Sequence, residues 1–126
     1  MPKNKKKTQN KETPEGCKEA GNKAFIARQF DEAIDLYTKA IELSGDSPSH
    51  IYFGNRANAY LEQGKLNECI ADCDKAISID VKYIKAHFRK SKALFNQQKL
   101  YEALDAAKLG LENEDNLDLK LLSEKL

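Results

Sequence analysis

The sequence predicts an all-α fold: a superhelix of three helix-turn-helix pairs closed by a C-terminal capping helix. Three observations predict it. Small residues recur at Gly21, Ala57 and Ser91, at Ala33, Cys69 and Ala103, and at Ala40, Ala76 and Gly110, each triplet stepping by 36 and then 34 residues. Large apolar residues keep the same step: Phe30, Leu66 and Leu100; Ile34, Ile70 and Leu104; Ile41, Ile77 and Leu111. Strand signals are missing, since β-branched residues are few and nowhere alternate with polar ones. A fixed period of this length marks a repeat architecture, in which one unit cannot bury its apolar face alone but stacked units can.

The elements follow in order. Cys17, Ala20, Gly21 and Ala24 share one face of a first helix, and Phe30-Asp31-Glu32-Ala33-Ile34 opens a second that runs through Ala40 and Leu43. Ser44–Pro48 ends it, with Gly45 suited to a positive φ and Pro48 to the first turn of the next helix. Gly64 is expected to make the corresponding turn in the second unit. The small residues have a mechanical reason: where two antiparallel helices cross closely, a bulky side chain would hold the backbones apart. Phe30, Tyr37, Tyr60 and Leu94 fill the space around those crossings. The stretch Asn116–Leu126 supplies the cap, with Leu117, Leu121 and Leu122 toward the third pair and Asp118, Lys120, Ser123 and Glu124 toward water. Seven helices are expected.

A chain of 126 residues fits one small domain or a fragment of something larger. Forty per cent hydrophobic residues suffice for a core, while 33% charged residues and a mean hydropathy of −0.70 indicate solubility. No run reaches the roughly 18 apolar residues of a membrane span, and none follows Met1 as a signal peptide would. Three cysteines without a secretory signal argue against a disulfide framework and for a reducing compartment, the cytoplasm or else the nucleus. The net charge of +1 hides a division. Residues 1–14 carry Lys3, Lys5, Lys6, Lys7 and Lys11 against Glu12, a surplus of four that leaves −3 for the remainder. The tail 1–14, nearly devoid of apolar residues, reads as disordered and basic, and the folded domain as 15–126. That balance excludes a strongly basic nucleic-acid domain.

The period and the positions of the small residues resemble the tetratricopeptide repeat, whose unit has small residues at its eighth, twentieth and twenty-seventh places. The resemblance covers residues 15–113, with repeats at about 14–47, 50–83 and 84–117 and a cap at about 116–126. It implies a right-handed superhelix. Two extra residues around Ser44–Ser49 are expected to lengthen a loop only. Arg56 and Lys90 stand where the family usually has Leu, and Val81 where it usually has Pro; little is expected to follow from these changes.

In a superhelix of stacked pairs the first helix of each pair lines the concave side, which directs attention to 15–27, 49–62 and 83–97. Lys18 and Asn22 lie four apart on one helix face, Lys85 and Arg89 do the same on another, and Asn55 lies between. Two lysines, an arginine and two amides converging on one trough make a receptor for carboxylates. Lys82, Lys90, Lys92 and Lys99 read instead as solubilising residues on a solvated helix face. The five groove residues resemble, position by position, the two-carboxylate clamp of co-chaperone tetratricopeptide domains. The words that carry it are Lys-Glu-Ala-Gly-Asn-Lys-Ala-Phe at 18–25, Gly-Asn-Arg-Ala at 54–57 and Lys-Ala-His-Phe-Arg-Lys at 85–90. The resemblance implies an adaptor that binds the free Glu-Glu-Val-Asp C-terminus of seventy- and ninety-kilodalton heat-shock chaperones, without catalysis, as a monomer with a further protein partner. By it, Lys18, Asn22 and Asn55 hold the main-chain carboxylate, Lys85 the terminal Asp side chain and Arg89 an upstream oxygen. The alternatives are a scaffold binding an internal helix or loop of a partner, and the regulatory end of a phosphatase or peptidyl-prolyl isomerase.

Other constellations carry less. Cys69 and Cys73, four apart, occupy packing positions, so no metal site is assigned to them with Cys17, His50 or His87. No glycine-rich phosphate loop is present, and no cofactor is expected. Asp31–Glu32 and Asp72–Asp74 are expected at helix starts or on outward faces, and His87 at the border of the groove, as core edge or as ligand contact.

Overall fold

A computed structural model describes residues 13–113 and 117–125, and these form seven helices. They are α1 (Pro14–Ile26), α2 (Phe30–Leu43), α3 (His50–Glu62), α4 (Leu66–Ile79), α5 (Ile84–Asn96), α6 (Leu100–Asn113) and α7 (Leu117–Lys125). Of the expected basic tail, residues 1–12 lie outside the described residues, and its last two are the cap and the first residue of the first helix. Thr13 caps α1, its Oγ1 accepting from Gly16 N at 2.9 Å, and Pro14 sits in the first turn, where no intrahelical N–H is needed. Ser49 caps α3 in the same way, accepting from Ile51 N at 3.1 Å. Pro48 therefore precedes the cap instead of entering the helix.

Contacts are densest within the pairs α1–α2, α3–α4 and α5–α6, and the pairs stack through α2–α3 and α4–α5. First helices of successive pairs also touch, α1 on α3 and α3 on α5, while second helices make at most marginal contact with one another. Units that touch on one side and splay on the other curve toward the touching side, so α1, α3 and α5 line the concave face of the superhelix. The cap α7 rests on α6 and α5, in the place of the first helix of a fourth pair.

All nine residues of the small set are buried. A Cβ on Gly21 would lie 2.6 Å from the Tyr37 ring, so glycine lets that ring lie against the α1 backbone. Ser91, the polar member, donates to the Ala103 carbonyl of the helix it crosses at 2.7 Å. The connection between α2 and α3 has six residues against four between α4 and α5, so the insertion does lengthen a loop.

Several expectations need correction. Gly45 has φ +65, but Gly64, φ +76, turns the chain within a pair and not between pairs. Its counterparts at the repeat step are Arg28 and Gln98, which take φ 61 and 64 without being glycine. Leu122 is buried as expected of the cap, whereas Leu121 is 48% exposed, and the Leu117 side chain lies outside what is described. Asp72 is no outward-facing acid: it is 6% exposed and accepts from Arg56 Nε at 2.7 Å and Nη2 at 2.8 Å. Arg56 Nη1 also donates to Thr38 Oγ1 at 3.0 Å, tying α3 to both α2 and α4. One repeat on, Lys90 meets Asp74 at 2.6 Å, the counterparts of Arg56 and Thr38. The departures from Leu are thus polar ties between neighbouring pairs.

Candidate functional site: the concave groove

Asn22, on α1, lines the groove. Its Oδ1 accepts from the Tyr37 hydroxyl at 2.6 Å and from Asn55 Nδ2 at 3.2 Å. An amide whose oxygen is taken twice keeps its NH₂ end for another acceptor, and Asn22 borders a cleft of about 250 Å³ together with Asn55, Asn58, Phe25 and Ile26. Burial pushes the Tyr37 hydroxyl up to about 12, against the pull of the Arg89 guanidinium, so Tyr37 stays a proton donor across the physiological range.

Arg89 reaches back from α5 to α3, donating from Nη1 to the Gly54 carbonyl at 2.9 Å, one residue before Asn55. Gly54 allows the approach of the two helices: a Cβ there would lie 2.5 Å from the Tyr83 ring. Lys85, exposed, shares with Arg89 a second cleft of about 290 Å³. Its floor is Leu61, Ile84 and Phe88, and Lys92 and Asn58 complete it. Asn58 is common to both clefts, which makes them two ends of one trough.

Lys18 stands one helical turn before Asn22, its Nζ 2.5 Å from Glu15 Oε1. The hydrogen bond from Lys18 holds the Glu15 carboxyl below its usual range, and the same bond raises Lys18. The Tyr52 hydroxyl donates to the other Glu15 oxygen at 3.4 Å.

Asn22 and Asn55 are thus in direct contact, Arg89 is bonded to the residue beside Asn55, and Lys85 shares a cleft with Arg89. Lys18 is paired with an acid that sequence reasoning did not consider. Tyr37, read only as filler, orients Asn22, and Gly54 and Asn58 were also missed. The repeat step already marks two of these: Asn22, Asn58 and Lys92 share one register, as do Lys18, Gly54 and Phe88.

Of the two readings of His87, core edge and ligand contact, the structure takes the core: the residue is 1% exposed and its Nε2 is 2.7 Å from the Val81 carbonyl oxygen. His50 lies 3.6 Å from Asp80 Oδ2, a carboxylate neighbour not foreseen. Cys17, Cys69 and Cys73 are reduced thiols with no exposure, and the hydrogen bond between Cys73 and Cys69 together with burial pushes Cys73 up. No group of three or more histidine, cysteine or acidic side chains able to hold a metal ion occurs among the described residues, and no helix there is long and apolar enough to cross a membrane.

Stacked helix pairs around a trough of amides and cations define a helical-repeat protein-interaction domain. The chain belongs to the tetratricopeptide repeat family. The family profile, Tetratricopeptide repeat, matches residues 51–83, which span α3 and α4. The TPR domain of Arabidopsis OM64 superposes with a TM-score of 0.85 at 34% identity, over 92% of this chain and 95% of that one. The first TPR of Spaghetti (RPAP3), solved bound to the HSP90 peptide SRMEEVD, has a TM-score of 0.80 at 36% identity, over 86% and 88%. The Hsp70/Hsp90 co-chaperone CNS1 of Saccharomyces cerevisiae is 40% identical over 98 residues, 76% of this chain and 26% of that protein. The chain spans about a quarter of the length of the curated relatives it matches first.

Proposed function

We propose that the concave groove is a two-carboxylate clamp for the free C-terminus of seventy- and ninety-kilodalton heat-shock chaperones, ending Glu-Glu-Val-Asp, and that the chain serves as a co-chaperone adaptor in the cytoplasm. The observation that carries this reading is the double acceptance at Asn22 Oδ1, which leaves the Asn22 amide N–H groups for a ligand at the cleft it lines with Asn55. Lys18, Asn22 and Asn55 would hold the main-chain carboxylate, Lys85 the terminal Asp side chain and Arg89 an upstream oxygen. Three cations then meet two carboxylates, with amides supplying directional donors. A relative solved with an HSP90 peptide and another named as an Hsp70/Hsp90 co-chaperone support the choice of ligand. The unit that binds comprises repeats 14–47, 50–83 and 84–117 with the cap 116–126, and its role is binding without catalysis.

Each charge-assisted hydrogen bond contributes roughly 1.5–3 kcal/mol, but an extended peptide loses conformational freedom on docking. The balance corresponds to a Kd on the order of micromolar, about −8 kcal/mol. Calorimetric titration with SRMEEVD and with its C-terminally amidated form tests the reading. Amidation should weaken binding at least tenfold, as should Arg89→Ala or Lys18→Ala with helicity retained. Equal affinity for the free and amidated peptides would favour a groove that accepts internal segments and would overturn the clamp.

A further inference from the structure

The five clamp residues do not account for all the polar groups that line the trough. Asn22, Asn58 and Lys92 occupy the same register on α1, α3 and α5, so they form one row across the concave face. The first belongs to the clamp, the second joins the two clefts, and the third closes the far cleft. That cleft has an apolar floor of Leu61, Ile84 and Phe88, and its charged lining is Lys85, Arg89 and Lys92 with no acid among them. Lys92 does not simply extend into water: its Nζ lies 5.6 Å from the centroid of the Phe88 ring. Lys18 and Lys90 each hold a carboxylate, whereas Lys92 has no ion pair among the described residues.

We propose that Lys92 is an upstream anion site of the groove, pairing with a carboxylate of the bound peptide three or four residues from its end. The groove would then select acidic tails and not merely free C-termini. The proposal rests on the clamp reading above, and the spacing supports it. Adjacent packed helices lie roughly 8–10 Å apart, and an extended chain advances about 3.3 Å per residue. Lys85, which takes the terminal Asp side chain, and Lys92 lie seven residues apart on α5, about 10 Å along its axis, which an extended chain covers in about three steps. Two and three steps before the terminal Asp of SRMEEVD stand its two glutamates. Side chains alternate along an extended backbone, so one of the two faces Lys92 and the other faces away.

Titrations of the wild-type chain and of Lys92→Met test this, using SRMEEVD, each single Glu→Gln form of it, and the amidated parent. Lys92→Met should weaken the parent peptide about three- to tenfold, more at low salt than at high. It should leave the affinity for one of the two Gln peptides unchanged, because that peptide has already lost the pairing carboxylate. An equal loss for all three free-acid peptides, or no loss for the parent, overturns the Lys92 site while the clamp stands. Equal wild-type affinity for the free and amidated parent overturns the clamp and this proposal with it. Circular dichroism checks that the exposed substitution leaves the fold intact.

Discussion

Replacing Tyr37 by Phe removes one hydroxyl and no packing volume of consequence. The ring stays against Gly21, where it is 2% exposed, and Asn22 Oδ1 keeps its second donor, Asn55 Nδ2. The stability cost is the loss of one neutral hydrogen bond, about 0.5–1.5 kcal/mol. The effect on binding has a different origin. With the 2.6 Å bond from Tyr37 gone, the Asn22 amide is held by a single 3.2 Å contact and must be ordered by the ligand instead. Ordering one such side chain costs about 0.5–1.5 kcal/mol, a roughly two- to tenfold loss of affinity. Titration with SRMEEVD reads the affinity, and urea denaturation reads the stability. A double-mutant cycle with Asn22→Ala makes the test specific: Tyr37→Phe should cost nothing further once Asn22 is gone. The same loss in both backgrounds, or none in the first, would refute the idea that Tyr37 acts through Asn22. The pH dependence adds a check. Because the folded hydroxyl is raised to about 12 from 10.0, its stabilisation is fully present below pH 10 and fades as pH climbs toward 12. The gap between wild type and Tyr37→Phe should close over that interval.

Further outcomes follow from other contacts. Glu15→Gln should tighten peptide binding about two- to fivefold at low salt, less at high salt, because it removes the anion that competes for Lys18. The competing carboxylate is already lowered, so in wild type the competition is complete at neutral pH and relaxes only as pH falls through the acid range; weaker binding by Glu15→Gln would mean that Glu15 positions Lys18 instead. Asp72→Ala leaves the Arg56 guanidinium half-buried without its bidentate partner and should cost about 3 kcal/mol in a denaturant titration. The double change Arg56→Leu with Asp72→Ala should recover most of that loss, and an additive result would contradict the pairing. Gly54→Ala forces Tyr83 off the α3 backbone, an overpacking cost of about 1–3 kcal/mol, and should weaken peptide binding by displacing Arg89 from the Gly54 carbonyl. Unchanged affinity in a folded Gly54→Ala protein would argue that the Arg89 anchor is dispensable.

The step of 36 and then 34 residues was enough to set the fold class, the number of helices and the nine buried crossing positions, because close helix crossings exclude large side chains whatever the surrounding sequence. It also pointed to the first helices as the concave surface, while the five groove residues were picked out there by their four-residue spacing and by the resemblance to the carboxylate clamp. What the period cannot carry is the second partner of each polar group. Asp72 is read as solvated until α3 brings Arg56 to it, Lys18 as unpaired until the first turn of α1 delivers Glu15, and His87 stays undecided between core and groove until its ring is seen against the Val81 carbonyl. Arg28 and Gln98 likewise hide left-handed turns that Gly64 advertises, because a backbone angle enforced by the helix pair leaves no mark on residue type.

The sequence alone determined that this chain is a stack of three helix pairs with cations and amides along its inner side, since spacing and residue size specify both. Only the tertiary structure decided how those groups are oriented: that Tyr37 and Asn55 take the oxygen of Asn22, that Arg89 anchors on Gly54, and that Lys92 lies over Phe88. Hydrogen-bond direction depends on which helices meet and at what distance, and those distances are properties of the packed stack, not of any one repeat.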